Sequence, residues 1–150
     1  MLLTRTPSLE LSWLPQPKQI SLPTIVVNHD EGYDGCYYTP RNGQILIAGR
    51  HYDAGNGIIE IRHDSHEATL IHEFRHHLQF HAGIPIEGNS FVGTHGNSYK
   101  EKIVNYFTTQ PTELDALQFE MTHCKPPDYV KEWHEWITNH HPHHQQRQKQ

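Results

Sequence analysis

The chain has 150 residues, 35% of them hydrophobic, a formal net charge of −5 with neutral histidines, and 15 histidines. That length predicts one domain with a modest core and room for little beyond one catalytic or binding unit. Lysines and arginines are scattered without the basic stripe of a nucleic-acid binder, no stretch nears the roughly 18 apolar residues of a membrane span, and no apolar run follows a basic start, so no signal peptide is expected.

Residues 1–23 carry Pro7, Pro15, Pro17 and Pro23 and read as an irregular arm with a short apolar piece from Leu9 to Leu14. Thr24-Ile25-Val26-Val27 is rich in β-branched residues and predicts a strand. Tyr37-Tyr38-Thr39 and the segment from Gln44 to Ala48 flank Pro40-Arg41-Asn42-Gly43, which predicts a hairpin turning at Asn-Gly. Asp53 to Gly57 predicts a loop, and Ile58 to Ile61 a further strand. If that strand lay at a sheet edge it could take a substrate backbone as an added strand; which strand is the edge is not readable from sequence, and an ordinary sheet strand is the favoured reading. Cys36 and Cys124 form no close pair and fit two thiols in a reducing cytoplasm.

His72-Glu73-Phe74-Arg75-His76 spells H-E-x-x-H. On a helix, residues four apart share a face, so the two imidazoles can grip one Zn²⁺. Glu73 then sits beside the metal, placed to take a proton from a bound water. With so many histidines the string can arise by chance, so its weight rests on context. The context is helical. Asp64 and Glu67 have capping-box spacing, with Ser65 a competing N-cap, and Gly83 followed by Pro85 supplies the stop. At about 100° per residue, Leu70, Ile71, Phe74 and Leu78 form one stripe, which predicts core. His72, Glu73 and His76 fall opposite, with Thr69 and Phe80. His81 projects to the Leu70/Phe74 side as a rim histidine, and His77, about 100° from His76, is poorly aimed for a ligand. His51, His63 and His66 fit no strong ligand template and read as loop or helix-start histidines.

A catalytic zinc takes three protein ligands and leaves a position open. The metzincin spacing fails, because Gln79 and Ala82 stand where Gly and His are required. Gly83 to Thr94 predicts a loop around the cleft, and Tyr99 to Phe107 a helix. Pro111 and Thr112 open another helix with acids in its first turn. On it Glu113, Ala116 and Glu120 share a face, and small Ala116 would permit close approach to the first helix. Glu113 is therefore the better third ligand, its alternative role being stabilisation of a helix N-terminus. Asp115 points about 160° away from it. Pro126-Pro127-Asp128 breaks the chain, and Tyr129, Val130, Trp133, Trp136 and Ile137 recur at helical spacing as core. The His/Gln-rich residues 140–150 read as a disordered tail that could bind metals loosely.

H-E-x-x-H followed by E-x-x-A-x-x-F and a later proline, carried by His72, Glu73, His76, Glu113, Ala116, Phe119 and Pro126, resembles the ImmA/IrrE-type minigluzincins over residues 58–127. The resemblance implies a small sheet, an active-site helix and a glutamate-bearing helix. It also implies zinc peptidase activity, which in some members cleaves a repressor carried by a mobile element. No appended DNA-binding or sensor domain is evident in this chain. Thr94-His95-Gly96-Asn97-Ser98-Tyr99 is similar to the H-G-x-x-F/Y segment of SprT-like proteases, which would make His95 the third ligand. As a non-ligand, His95 could instead hydrogen-bond an oxyanion, as could Tyr99, Tyr106 or His123.

The resulting expectation is an α+β protein with one metallopeptidase domain over residues 1–139. A small β-sheet packs on the H-E-x-x-H helix and further C-terminal helices follow. His72, His76 and Glu113 would hold Zn²⁺, Glu73 would act as general base, and a protein or peptide would be the substrate. The alternatives are a SprT-like protease using His95 and a non-catalytic, metal-stabilised binding module.

Overall fold

A computed structural model describes residues 20–30, 34–86 and 94–140. The expected arm before residue 20, most of the expected loop after Gly83 and the expected tail beyond His140 lie outside the described residues. The fold is α+β, and its described residues divide into two compact units, residues 20–86 and residues 94–140.

The first unit holds β1 (Thr24–Asn28), β2 (Gly35–Tyr38), β3 (Gln44–Ile47), β4 (Arg50–Asp53), β5 (Ile58–Arg62) and α1 (Glu67–His81). Three strands form one sheet in the order β1-β5-β2, with β1 parallel and β2 antiparallel to β5. The apolar run Ile58-Ile59 is fully buried because β5 is the central strand. β5 is therefore no edge. Across the sheet Glu60 accepts hydrogen bonds from Asn28 Nδ2 at 2.6 Å and Tyr38 Oη at 2.7 Å, tying both flanking strands to the centre. Val26 and Ile58 pack with Ile47 and Ala54 in one core cluster, which places the β3–β4 hairpin on that side. Tyr37 and Gly35 alternate to the other side and meet α1.

The expected hairpin around Asn42-Gly43 does not form. β2 pairs with β5, while β3 turns at Ala48-Gly49 to pair with β4, register Ile47↔Arg50. Both turn residues have positive φ, 50° and 82°, the geometry of a two-residue type I′ turn whose twist matches its strands. Alanine is a poor signal for that conformation, and the Asn-Gly pair nearby is a strong one, so the sequence pointed to the wrong turn. His51, read as a loop histidine, and Asp53, read as loop, both lie on β4.

The second unit holds α2 (Tyr99–Thr108), α3 (Pro111–His123) and α4 (Asp128–His140), at the positions that spacing and caps predict. Ser98 caps α2 by accepting from Glu101 N at 3.1 Å, and Pro111 occupies the first turn of α3, where a missing N–H is harmless. Ile103 and Phe107 of α2, Leu117 of α3, and Val130 and Ile137 of α4 form its core. Burial of each contributes about 1.5–3 kcal/mol. Trp133 and Trp136 pack against that cluster, as their helical spacing predicts, while Tyr129 stays exposed. No described helix is long and apolar enough to cross a membrane.

Candidate metal centre

The sequence between β5 and α1 fixes where the H-E-x-x-H begins. Arg62, last residue of β5, bridges Asp34 and Asp64, and Ser65 Oγ donates to the Asp34 carbonyl at 2.7 Å. Neither Asp64 nor Ser65 caps the helix, because both are engaged in this corner. The N-cap is His66, whose Nδ1 accepts from Ala68 N at 3.0 Å. At the other end Gly83 N donates to Phe80 O and Ile84 N to Gln79 O, the pair of bonds that closes a Schellman motif. Gly83 is thus the stop its sequence predicts.

The expected division of α1 into an apolar core face and a presenting face is not what the structure has. Of the apolar stripe only Leu78 is buried, whereas Leu70, Ile71 and Phe74 are half-buried. The buried side chains are mostly polar: Glu73, Arg75, His76, His77 and Gln79. Periodicity missed this because it weighs only apolar residues. Polar groups withdrawn from water need hydrogen-bond partners in the protein, and His77, His76 and Gln79 show how such bonds are made. His77 is held from both sides: Tyr37 Oη–H donates to its Nδ1 at 2.7 Å, and its Nε2–H donates to the Ser21 carbonyl at 2.7 Å. Burial lowers the His77 pKa below the usual histidine range, partly offset by the Ser21 bond and reinforced by neighbouring His81, so the ring is neutral with its proton on Nε2. His77 is poorly aimed as a ligand, as its angle predicted; it bolts α1 to β2. His81 is exposed and meets the His77 ring edge-on. His76 makes the second buried bond, from Nδ1 to Gln79 Oε1 at 2.9 Å.

Glu73 is 9% exposed and lies over the start of β2. A Cβ on Gly35 would stand 2.5 Å from Thr69 Cγ2 and 3.1 Å from both Cγ and Oε2 of Glu73. Only glycine admits so close an approach of β2 to this helix face. The His72 and His76 ring centroids are 5.1 Å apart on neighbouring turns.

Glu113 is in the first turn of α3. One ligand atom from each of His72, His76 and Glu113 lies within 4.8 Å of the others, and this is the group among the described residues that could hold a metal ion. Two imidazoles and a carboxylate are a donor set that suits zinc and leaves a coordination position open, so these residues fit such an ion. His95 is exposed, does not belong to the group, and accepts a bond from Asn105 Nδ2 on its backbone carbonyl. Gly96 beside it is explained by packing, since a Cβ there would stand 2.7 Å from Lys102 N. Neither His51, His63 nor His66 joins a metal group. Tyr99 is exposed and meets the Trp136 ring edge-on, Tyr106 packs on the second core, and the His123 ring lies tilted against Phe119 with centroids 4.3 Å apart. Asp115, opposite Glu113 on α3, is buried and is not in the group.

Sequence reasoning missed Gly35, Tyr37 and Gln79. Gly35 and Tyr37 lie on β2 and carry no local pattern tying them to α1. Gln79 did have a signal, standing three residues after the second histidine, where side chains on one helix face meet. Comparison of the chain with protein-family models, curated protein sequences and solved structures gives no match.

Proposed function

We propose that this chain is a zinc-dependent metallopeptidase of the minigluzincin kind, acting on a protein or peptide in a reducing cytoplasm. The observation that supports it best is the approach of His72, His76 and Glu113 ligand atoms to within 4.8 Å, with Glu73 between the two histidines in sequence. In this reading His72, His76 and Glu113 hold Zn²⁺. The bound ion would lower the pKa of a coordinated water toward ~7 and polarise the scissile carbonyl. Glu73 takes the proton of the attacking water and passes it to the departing amine, so one water is consumed and two new termini appear. Its placement against Gly35 restricts the carboxylate to one side of the helix. Burial keeps bulk water from competing for that proton.

The test uses the full chain with the tail histidines His141, His143 and His144 replaced by glutamine, so that they cannot mimic a site. The chelator-washed protein should retain or reload one zinc per chain and degrade unfolded casein. Glu73→Gln should keep the zinc and lose the hydrolysis. A folded protein that takes up no zinc would refute the metal site. A Glu73→Gln protein of undiminished turnover would refute the general base. Zinc uptake that stabilises the fold without any hydrolysis would favour the metal-stabilised binding module instead.

A further inference from the structure

An imidazole can bind a metal through either nitrogen, and at His76, one of the two candidate ligand rings on α1, the structure distinguishes the two. This histidine is 4% exposed and Gln79 is fully buried one helical turn later. Their side chains meet at 2.9 Å, His76 Nδ1 to Gln79 Oε1. An amide oxygen only accepts, so the ring nitrogen facing it must carry the proton. A neutral imidazole has one proton, which leaves Nε2 as the lone-pair nitrogen. Both residues belong to one helix, three positions apart, so the pairing is set by α1 itself.

We infer that Gln79 is a positioning residue for the proposed zinc site: it holds His76 in the Nδ1–H tautomer, presents Nε2 to the metal, and raises the affinity of the site. The inference rests on the metal reading of His72, His76 and Glu113, and it makes one statement about the metal-free protein as well. A metal-bound histidine donates its other N–H to an acceptor that orients the ring and increases its basicity. Here that acceptor is a neutral amide, buried where water cannot replace it. Its removal takes away the acceptor that Gln79 offers to the His76 Nδ1–H and loosens the hold of that bond on the tautomer.

The test compares wild type, Gln79→Met and Gln79→Glu as full chains carrying the three tail substitutions. Methionine keeps the length and helix preference of glutamine without an acceptor. Glutamate can only accept, so it keeps the sense of the bond. Long-range ¹⁵N–¹H correlation on metal-free wild type should show the His76 proton on Nδ1. Zinc affinity, measured by competition with a chromophoric chelator, should fall about 10–100-fold in Gln79→Met, the usual effect of removing such a partner. It should be restored by Gln79→Glu. Co²⁺ spectra of Gln79→Met should report an altered ligand field.

A His76 proton on Nε2 in metal-free wild type would overturn the inference directly, whatever the metal does. Equal zinc affinities in wild type and Gln79→Met would also overturn it while leaving the metal site standing. Failure of wild type itself to bind zinc would instead refute the proposed function, and the affinity role of Gln79 with it. Loss of metal-free thermal stability in Gln79→Met, with the tautomer and the affinity unchanged, would assign Gln79 to packing alone and overturn the positioning role.

Discussion

Gly35→Ala is the sharpest probe of how β2 meets the candidate site. The added methyl would stand 2.5 Å from Thr69 Cγ2, about 1 Å inside the closest comfortable separation of two carbons. Thr69 has little room to rotate away, because threonine on a helix is confined to two χ1 rotamers. The remaining responses are separation of α1 from β2 or displacement of Glu73, whose Cγ and Oε2 would each lie 3.1 Å from the new carbon. Overpacking of this kind costs about 1–3 kcal/mol, or roughly 2–12 °C in Tm for a chain of this size. Urea titration of Gly35→Ala, Thr69→Ala and the double variant forms a cycle. Removing Thr69 Cγ2 should recover most of the loss, giving a coupling of about 1 kcal/mol or more between the two sites. If the reading of Glu73 is right, casein hydrolysis should fall in Gly35→Ala while zinc content holds. A Gly35→Ala protein within about 0.5 kcal/mol of wild type, the size of an ordinary surface change, would refute the close approach. So would a double variant no more stable than the single one.

Three further outcomes follow from named contacts. Tyr37→Phe removes the hydroxyl that donates to buried His77 Nδ1 and should cost about 1–3 kcal/mol in urea titration; a loss under about 0.5 kcal/mol would show that the bond does not bolt α1 to the sheet. Burial lowers the His134 pKa, so the unfolded chain binds this proton more tightly than the folded one. The stability from His134 is therefore present above the unfolded pKa of about 6.5 and lost as pH falls from there through the folded value. Tm measured from pH 8 to pH 5 should decline less steeply in His134→Gln than in wild type, and parallel curves would exclude the assignment. Glu113→Gln keeps the side-chain length at the helix start but replaces the carboxylate with a neutral amide: as a ligand change it should reduce zinc affinity by more than about 100-fold, beyond an outer-shell effect, whereas a purely helix-stabilising Glu113 would lose only about 0.3–1 kcal/mol of stability. His95→Ala should leave zinc affinity unaltered, and a large loss there would favour the SprT-like reading.

The helices were legible in the sequence because the information for each lies within it. Pro111, Gly83 and the Pro126-Pro127 break act on their own turns, and the Tyr129-to-Ile137 spacing reports one face. That Ile58 to Ile61 forms a strand was visible in its β-branched residues, but its central place between β1 and β2 was not. Strand pairing was not legible, because it is settled by partners far apart in the chain. Asn42-Gly43 is locally the better hairpin signal, yet Tyr38 joins Glu60 and Tyr37 joins His77, which commits β2 to β5 and α1. The two candidate histidine ligands could be named from spacing and the third was left between Glu113 and His95, while Gly35 beside Glu73 and Gln79 beside His76 went unread. Gly35 contributes only by lacking a side chain, and such a contribution has no sequence pattern.

The reading of α1 as an amphipathic helix failed for a reason that bears on its chemistry. A helix with an apolar stripe needs only to hide that stripe, and its polar side can face water at no cost. α1 buries Glu73, Arg75, His76, His77 and Gln79 while leaving Leu70, Ile71 and Phe74 half-exposed. Burial of five polar side chains opposes folding unless each finds a partner, typically by about 1–3 kcal/mol for each one left unsatisfied. A helix serving only as core would carry apolar residues at these positions at less risk. Two of the five are rings held in one orientation: Tyr37 and Ser21 hold His77, and Gln79 holds His76. The two rings are fixed in opposite tautomers, His77 with its proton on Nε2 and His76 with its proton on Nδ1. Adjacent histidines of identical chemistry are thereby given different surroundings: His77 anchors the helix to the sheet, and His76 is held within the helix by Gln79.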